Sequence, residues 1–121
     1  MSPLAWIGVA LLGGVGAVGR FLIDGAVSRA SGGSLPLGTF LINISGAFVL
    51  GLLDGLALTG TALVLVGTAT VGAYTTFSTW MLETHRLRED ARFLAATGNL
   101  VLSLGAGVGA VALGRLVGTA L

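Results

Sequence analysis

Four long stretches without a charged side chain make up most of this sequence. They cover residues 4–19, 35–53, 56–82 and 93–114. A helix that crosses a bilayer needs about 20 predominantly apolar residues, so each stretch is long enough, the first only if Arg20 lies near an interface. Charged residues make up 9% of the chain, against about 25% in a typical soluble domain. These few charges cannot cover the surface of a soluble globule, and the sequence predicts an integral membrane protein.

Helices are the expected form of these stretches, because every backbone polar group inside lipid must find a partner within the protein. A β-barrel is disfavoured, since the apolar runs show no alternation with a period of two. The net charge of +1 argues against a nucleic-acid partner, and the absence of cysteine excludes a disulfide scaffold. We predict one all-α transmembrane domain over residues 1–121, with helices near 4–27, 35–53, 56–88 and 91–118.

The distribution of arginine predicts an orientation. Four spans place both termini on one side of the membrane and the connections after the first and third spans on the other. That second side carries most of the arginines, whereas the terminal side carries one, Arg115. Excess Lys and Arg marks the cytoplasmic face, so we predict both termini outside. The alternative is that these arginines only solubilise the loops. The arginines of that second side are Arg29, Arg86, Arg88 and Arg92, with Arg20 nearby.

The third span has 27 uncharged residues, more than a bilayer requires, and its centre reads GAYTTFST. This segment is rich in hydroxyls and poor in strong helix formers. One interpretation is a broken helix that lines water and whose free carbonyls hold a cation. The other is a continuous helix whose hydroxyls bond to carbonyls one turn earlier. Asn43, in the middle of the second span, has two readings as well: a bond between helices, or an N–H donor to a permeating ion. Thr39 lies one turn before it on the same face.

Glycine is unusually frequent, with 21 residues. Small residues four apart allow helix backbones to approach closely in membranes, and pairs of this kind include Gly51 with Gly55 and Gly105 with Gly109. They predict a tight bundle. Four thin helices hardly enclose a pore alone, so we expect an oligomer, with a symmetric dimer as the simplest form.

Three motifs occur in order along the chain: GGVGAVGRF in the first span, GTFLINISGAF in the second and GAYTTFSTWMLE in the third. With the chain length and the four spans, they resemble the small bacterial fluoride channel family, Fluc (CrcB). The resemblance implies an antiparallel dimer in the bacterial cell membrane, with two fluoride pores and a central structural sodium ion. It implies passive export of cytoplasmic fluoride and no enzymatic activity, and a homodimer is the expected assembly.

The resemblance also implies site residues. Backbone carbonyls of Gly72 and Thr75 would bind the sodium ion, and Arg20 and Glu83 would lie at a vestibule. Phe77 would present the positive edge of its ring to the anion. The fluoride pathway would contain seven residues in all: Asn43, Phe77, Trp80, Ser78, Thr79, Thr39 and Ser103.

Two features depart from the family pattern. Trp80 stands where the family usually has a phenylalanine, and the arginines are distributed unevenly between the two sides. Both motivate the hypothesis of a non-conducting or one-pore subunit that pairs with an oppositely oriented homologue.

Other classes fit less well. A small multidrug transporter needs a membrane-embedded acid, and the first span has none before Asp24. A membrane enzyme needs a nucleophile, a base and an orienting group, and no such arrangement is visible. A purely structural subunit would not need the hydroxyl-rich third span.

Overall fold

The computed structural model describes all 121 residues, and its regular structure is entirely helical. Helix α1 is Pro3–Ser31 and α2 is Leu37–Gly55. The third span, Gly60–Glu89, is divided into α3 (residues 60–74) and α4 (Ser78–Glu89), and α5 is Phe93–Ala120. The four spans are long and apolar enough to cross a membrane. The predicted all-α, multi-pass membrane fold with a broken third helix is confirmed for the subunit.

The first helix begins and ends at clear signals. The Ser2 hydroxyl accepts a hydrogen bond from the Ala5 N–H at 3.1 Å, and Pro3 occupies the first turn. Both features are typical of helix N-termini. The helix then continues through Arg20 to Ser31 and stops at Gly32, whose φ of 82° suits a residue without a side chain. Arg20 therefore lies inside the helix and not at its end.

The most extensive packing joins α2 to α5, and glycine makes it possible. A Cβ on Gly51 would collide with the carbonyl oxygen of Val111, and one on Gly114 with that of Phe48. Gly55 and Gly118 face each other, and a Cβ on either would lie 2.9 Å from the other's Cα. Two pairs of glycines four residues apart thus bring the backbones into direct contact.

The glycines of α5 divide into two groups. Gly105 and Gly109, the pair expected from the sequence, meet nothing within 4 Å inside the subunit. Gly114 and Gly118, about two and a half turns further on, make the contact with α2. The spacing was the correct signal, but it occurs twice on this helix, and the crossing point of the helices decides which pair is used.

Two further glycines fit the broken span between its neighbours. Gly16 of α1 lies against the Thr70 carbonyl and the Tyr74 amide, and Gly46 of α2 lies against the Thr75 side chain. Both glycines are buried. The end of α3 therefore packs against α1 on one side and α2 on the other, and each helix contacts it at a glycine.

Very little of the subunit is interior. Ile42 is the one large side chain that is fully buried, and only 6% of the apolar window of α1 is enclosed. Leucine, valine and phenylalanine side chains cover the outside. Such a surface suits lipid or a second subunit, not water.

We expect Gly114→Ala to lower the melting temperature of the purified protein, because the added methyl group cannot fit beside the Phe48 carbonyl. Overpacking of this kind costs about 1–3 kcal/mol. The measurement is thermal unfolding in detergent followed by size-exclusion chromatography. Gly109→Ala on the same helix is the matched control, since its methyl group meets open space. Equal melting temperatures for the two variants would contradict the packing described.

Candidate functional site

The break in the third span covers residues 75–77. Before it, residues Val64–Val71 form a π-helix and Gly72–Tyr74 a last turn of α-helix. Thr75 then adopts an extended conformation, with ψ of 162°, and the chain resumes as α4 at Ser78. A π-helix of eight residues is rare, and π segments are frequent at functional sites. The irregular backbone lies where a membrane protein has to bury it in protein or line water with it.

The break leaves backbone carbonyls without donors. The oxygens of Gly72 and Thr75 accept none of the hydrogen bonds within the chain. The Thr75 hydroxyl does bond back to the Val71 carbonyl at 3.1 Å, as expected for the continuous-helix interpretation, but the helix ends there all the same. Free carbonyl oxygens at a helix end are suitable ligands for a hard cation.

Asn43 of α2 binds the backbone of the break directly. Its amide Nδ2 donates to the Thr76 carbonyl at 2.8 Å, and its Oδ1 accepts from the Thr76 N–H at 2.8 Å. Both main-chain groups of Thr76, which no helix satisfies, are thereby paired. This is the interhelical bond that the sequence left as one of two options. One N–H of the amide is free of partners within the chain, so a donor role is also compatible with this geometry.

Thr76 also contacts the first turn of α4, which begins at Ser78. The Thr76 hydroxyl accepts a hydrogen bond from the Thr79 N–H at 3.2 Å and donates to the Thr79 hydroxyl at 3.1 Å. The Thr76 hydroxyl thus satisfies one of the N–H groups that the start of a helix leaves without a partner. Thr76 is not among the residues predicted from the sequence. The signal that could have identified it is a threonine three residues before Thr79, the spacing at which a hydroxyl can accept from an amide at a helix start.

Phe77 and Trp80 form an aromatic pair at the start of α4. Their ring centroids are 5.7 Å apart and their planes are at 87°, an edge-to-face arrangement. Phe77 is 70% exposed, whereas Trp80 is half-buried. The Trp80 indole N–H donates to the main-chain carbonyl of Asn99 in α5 at 3.0 Å. The N–H therefore points toward α5.

A groove of about 870 Å³ brings together Asn43, Trp80 and Ser103 from three helices. Ser103 is only 8% exposed, and its hydroxyl has no hydrogen-bond partner. Buried hydroxyls are normally paired, so this one is available to a bound molecule or ion. Most other residues that line the groove are apolar, among them Leu104, Val108 and Leu116.

Thr39 and Glu83 meet on the side of the break nearer the loops. The Thr39 hydroxyl, in a residue that is 3% exposed, donates to the Glu83 carboxylate. Thr39 lies one turn from Asn43 on α2, and Glu83 lies one turn from Thr79 on α4. The Thr39–Glu83 bond joins α2 to α4, one turn along α2 from the bonds that join Asn43 to the break. No sequence pattern accounts for an acid at position 83, and the hydrogen bond from Thr39 gives the carboxylate a partner.

The other expected residues lie outside these contacts. Ser78 is exposed, and its hydroxyl has no bond within the chain. Arg20 is half-buried on α1 and forms no ion pair. The structure therefore brings together Asn43, Trp80 and Ser103 at the groove and pairs Thr39 with Glu83. Neither Ser78 nor Arg20 joins either group.

Comparison with known proteins gives a consistent result. The family described as CrcB-like protein, Camphor Resistance (CrcB), matches residues 7–115. A relative from Mycolicibacterium paratuberculosis, named fluoride-specific ion channel FluC 2, is 56% identical over 110 residues, 91% of this chain and 90% of its own. A FluC 2 protein of Mycobacterium bovis is 53% identical over 97% of this chain and 93% of its own. A protein of Leifsonia xyli subsp. xyli named FluC 1 is 44% identical over 88% of this chain and 83% of its own.

We expect Asn43→Ala to expose the backbone of the break. It leaves the Thr76 N–H and carbonyl without partners, and an unsatisfied buried group costs about 1–3 kcal/mol. Hydrogen exchange measured by mass spectrometry on a peptide that spans residues 75–77 should accelerate by roughly tenfold or more. Ser45→Ala is the control on the same helix, since Ser45 bonds only to Tyr74 and Ile42. Unchanged exchange in Asn43→Ala would show that the amide does not hold the break.

Proposed function

The chain belongs to the CrcB-like protein family, and from that membership we propose that it is a fluoride-selective ion channel. It would export cytoplasmic fluoride passively across the bacterial cell membrane, with no enzymatic activity. The observation that carries this proposal is the 56% identity to a fluoride-specific channel over nine-tenths of both chains. The broken third span supports it, because such a segment is costly in a membrane unless it is buried in protein or lines a path.

The groove residues can supply hydrogen-bond donors to a dehydrated anion. Fluoride is small and strongly hydrated, so a narrow path has to replace its water with protein donors. The Ser103 hydroxyl is buried and unpaired, and one N–H of Asn43 is free. Ser78 and Thr79 add hydroxyls at the start of α4. Short donors in a narrow site favour fluoride over chloride, which is larger and accepts hydrogen bonds more weakly.

The aromatic pair would supply a second kind of contact. The edge of an aromatic ring carries partial positive charge, so Phe77 and Trp80 can face an anion without giving it a strong hydrogen bond. Phe77 projects from the subunit at the break, where a second subunit would enclose it.

Two further residues would act at the ends of the pathway. Arg20, which has no carboxylate partner, would attract the anion at a vestibule. Thr39 would contribute its hydroxyl only after releasing Glu83, because its proton is directed to that carboxylate in the present conformation.

The carbonyls at the break fit a structural sodium ion. The Gly72 and Thr75 oxygens have no donors within the chain, and neutral carbonyl oxygens are suitable ligands for a hard cation. The same pair from a second subunit would complete a set of four oxygens. The ion would offset the partial negative charge of the exposed carbonyls and would not itself permeate.

We further propose that the functional unit is an antiparallel dimer. A homodimer needs only this chain. A heterodimer with an oppositely oriented homologue is the second candidate, favoured by the uneven arginines and by Trp80. The relatives that match include proteins named FluC 1 and FluC 2, which agrees with a pair of unlike subunits. If the chain has a single orientation, its termini lie outside.

Fluoride efflux from liposomes that contain only this protein tests the channel. We expect rapid fluoride efflux and no chloride efflux under the same gradient. No efflux from a folded, monodisperse protein would contradict a self-sufficient channel. Trp80→Phe in the same assay then separates two causes, since restored efflux identifies a pore blocked by tryptophan and continued silence identifies a missing partner subunit.

Phe77→Ile tests the aromatic contact. The substitution keeps apolar bulk and removes the ring edge, so we expect fluoride efflux to fall at least about tenfold, as for the loss of about 1.4 kcal/mol. Phe93→Ile is the control, since Phe93 is also largely exposed but lies at the start of α5, away from the break. Normal efflux through a well-assembled Phe77→Ile protein would overturn the ring-edge role.

A further inference from the structure

Three hydrogen bonds connect Trp80, Thr84 and Asn99 in a closed ring that joins α4 to α5. The indole N–H of Trp80 donates to the main-chain carbonyl of Asn99 at 3.0 Å. The Asn99 side-chain amide donates to the Thr84 hydroxyl at 2.8 Å, and that hydroxyl donates to the Trp80 carbonyl at 2.8 Å. All three residues are half-buried. Thr84 and Asn99 were not among the residues expected from the sequence.

The ring fixes the direction of the indole. A tryptophan side chain has a small set of staggered rotamers, and its indole has a single N–H donor and no acceptor. Trp80 borders the groove that also contains Asn43 and Ser103, whereas Asn99 borders a neighbouring cavity of about 600 Å³ that shares Ser103 with the groove. Since the one donor is bound to the main-chain carbonyl of Asn99, the indole has no N–H left to offer to the groove.

We propose that Thr84 and Asn99 are positioning residues that hold the Trp80 indole N–H against α5 and keep it out of the ion path. This inference rests on the proposed channel function and extends it to residues outside the pathway. The main-chain carbonyl of Asn99 receives the N–H directly. The bond from the Asn99 side chain to the Thr84 hydroxyl ties this turn of α5 to the turn of α4 on which Trp80 stands, and so keeps that carbonyl within reach of the indole.

This arrangement would keep the groove from binding the anion too strongly for conduction. A conducting site has to bind an ion strongly enough to admit it and weakly enough to release it. An indole N–H facing the groove would give the anion a charge-assisted hydrogen bond, which is roughly twice as strong as a neutral one. Bound to Asn99, Trp80 presents a weakly attractive ring edge, similar to that of Phe77, and strong donation is left to Ser103 and Asn43.

The test uses tryptophan fluorescence and fluoride efflux together. The chain has two tryptophans, so Trp6→Phe leaves Trp80 as the only reporter. In that background we expect Thr84→Val, which is nearly isosteric but lacks the hydroxyl, to shift the emission to longer wavelength as the indole turns toward the groove. Loss of a net hydrogen bond shifts such an equilibrium about fivefold, and efflux should fall by a similar factor. Thr84→Ser, which keeps the hydroxyl, should restore the emission and the efflux of the background protein.

A second comparison separates positioning from general stability. With Trp80→Phe there is no indole N–H to hold, so adding Thr84→Val should change efflux by less than about twofold. Should Thr84→Val fail to elute as a single species, Asn99→Leu removes the donor to Thr84 and takes its place in both comparisons. Unchanged emission in these variants, or an equal loss of efflux with and without Trp80→Phe, would overturn the proposal. Absence of efflux from the parent protein would count against the channel itself, and the emission spectra would still decide whether Thr84 and Asn99 hold the indole.

Discussion

The paired hydrogen bonds between the Asn43 amide and the Thr76 backbone are the interaction on which the site depends. A membrane offers no water to satisfy a main chain that leaves a helix. Asn43 replaces that water for one residue, with both bonds at 2.8 Å. Once Thr76 is held, its hydroxyl can bond to Thr79 in the first turn of α4, and Phe77 and Trp80 form their aromatic pair where α4 begins. The carbonyls of Gly72 and Thr75 stay free because the chain has already turned.

Glycine gives the neighbouring helices the shape that this interaction needs. Gly46 lies about one turn after Asn43 on α2 and leaves room for the Thr75 side chain. Gly16 of α1 leaves room for the backbone of α3 on the other side. A larger residue at either position would push the helices apart and lengthen the Asn43 bonds. Close packing in this subunit therefore depends on glycines that let the helix backbones touch, since hydrophobic attraction between helices is weak in lipid.

Much of this architecture could be predicted from the sequence, and the limits have physical causes. The gaps between charges predicted four spans, because only apolar stretches of that length suit a bilayer. The break stayed undecided because hydroxyls that bond back to the helix occur in both interpretations, and Thr75 indeed makes such a bond. Gly114 and Gly118 could not be preferred over Gly105 and Gly109, since the choice depends on where two helices cross. The direction of the Trp80 N–H depends on the main-chain carbonyl of Asn99, 19 residues further along the chain, and no local pattern encodes where that carbonyl lies.

The scarcity of interior, with Ile42 as the one large side chain fully enclosed, determines how this sequence can diverge. On the outer face of α1 a residue needs only to be apolar, so leucine, valine and isoleucine can replace one another there with little effect on the fold. Gly16, Gly46 and Gly114 have no such freedom, because even one methyl group meets a neighbour. Mutations should therefore accumulate on the large apolar residues and spare the smallest ones, the reverse of what is usual in a water-soluble protein with a close-packed core.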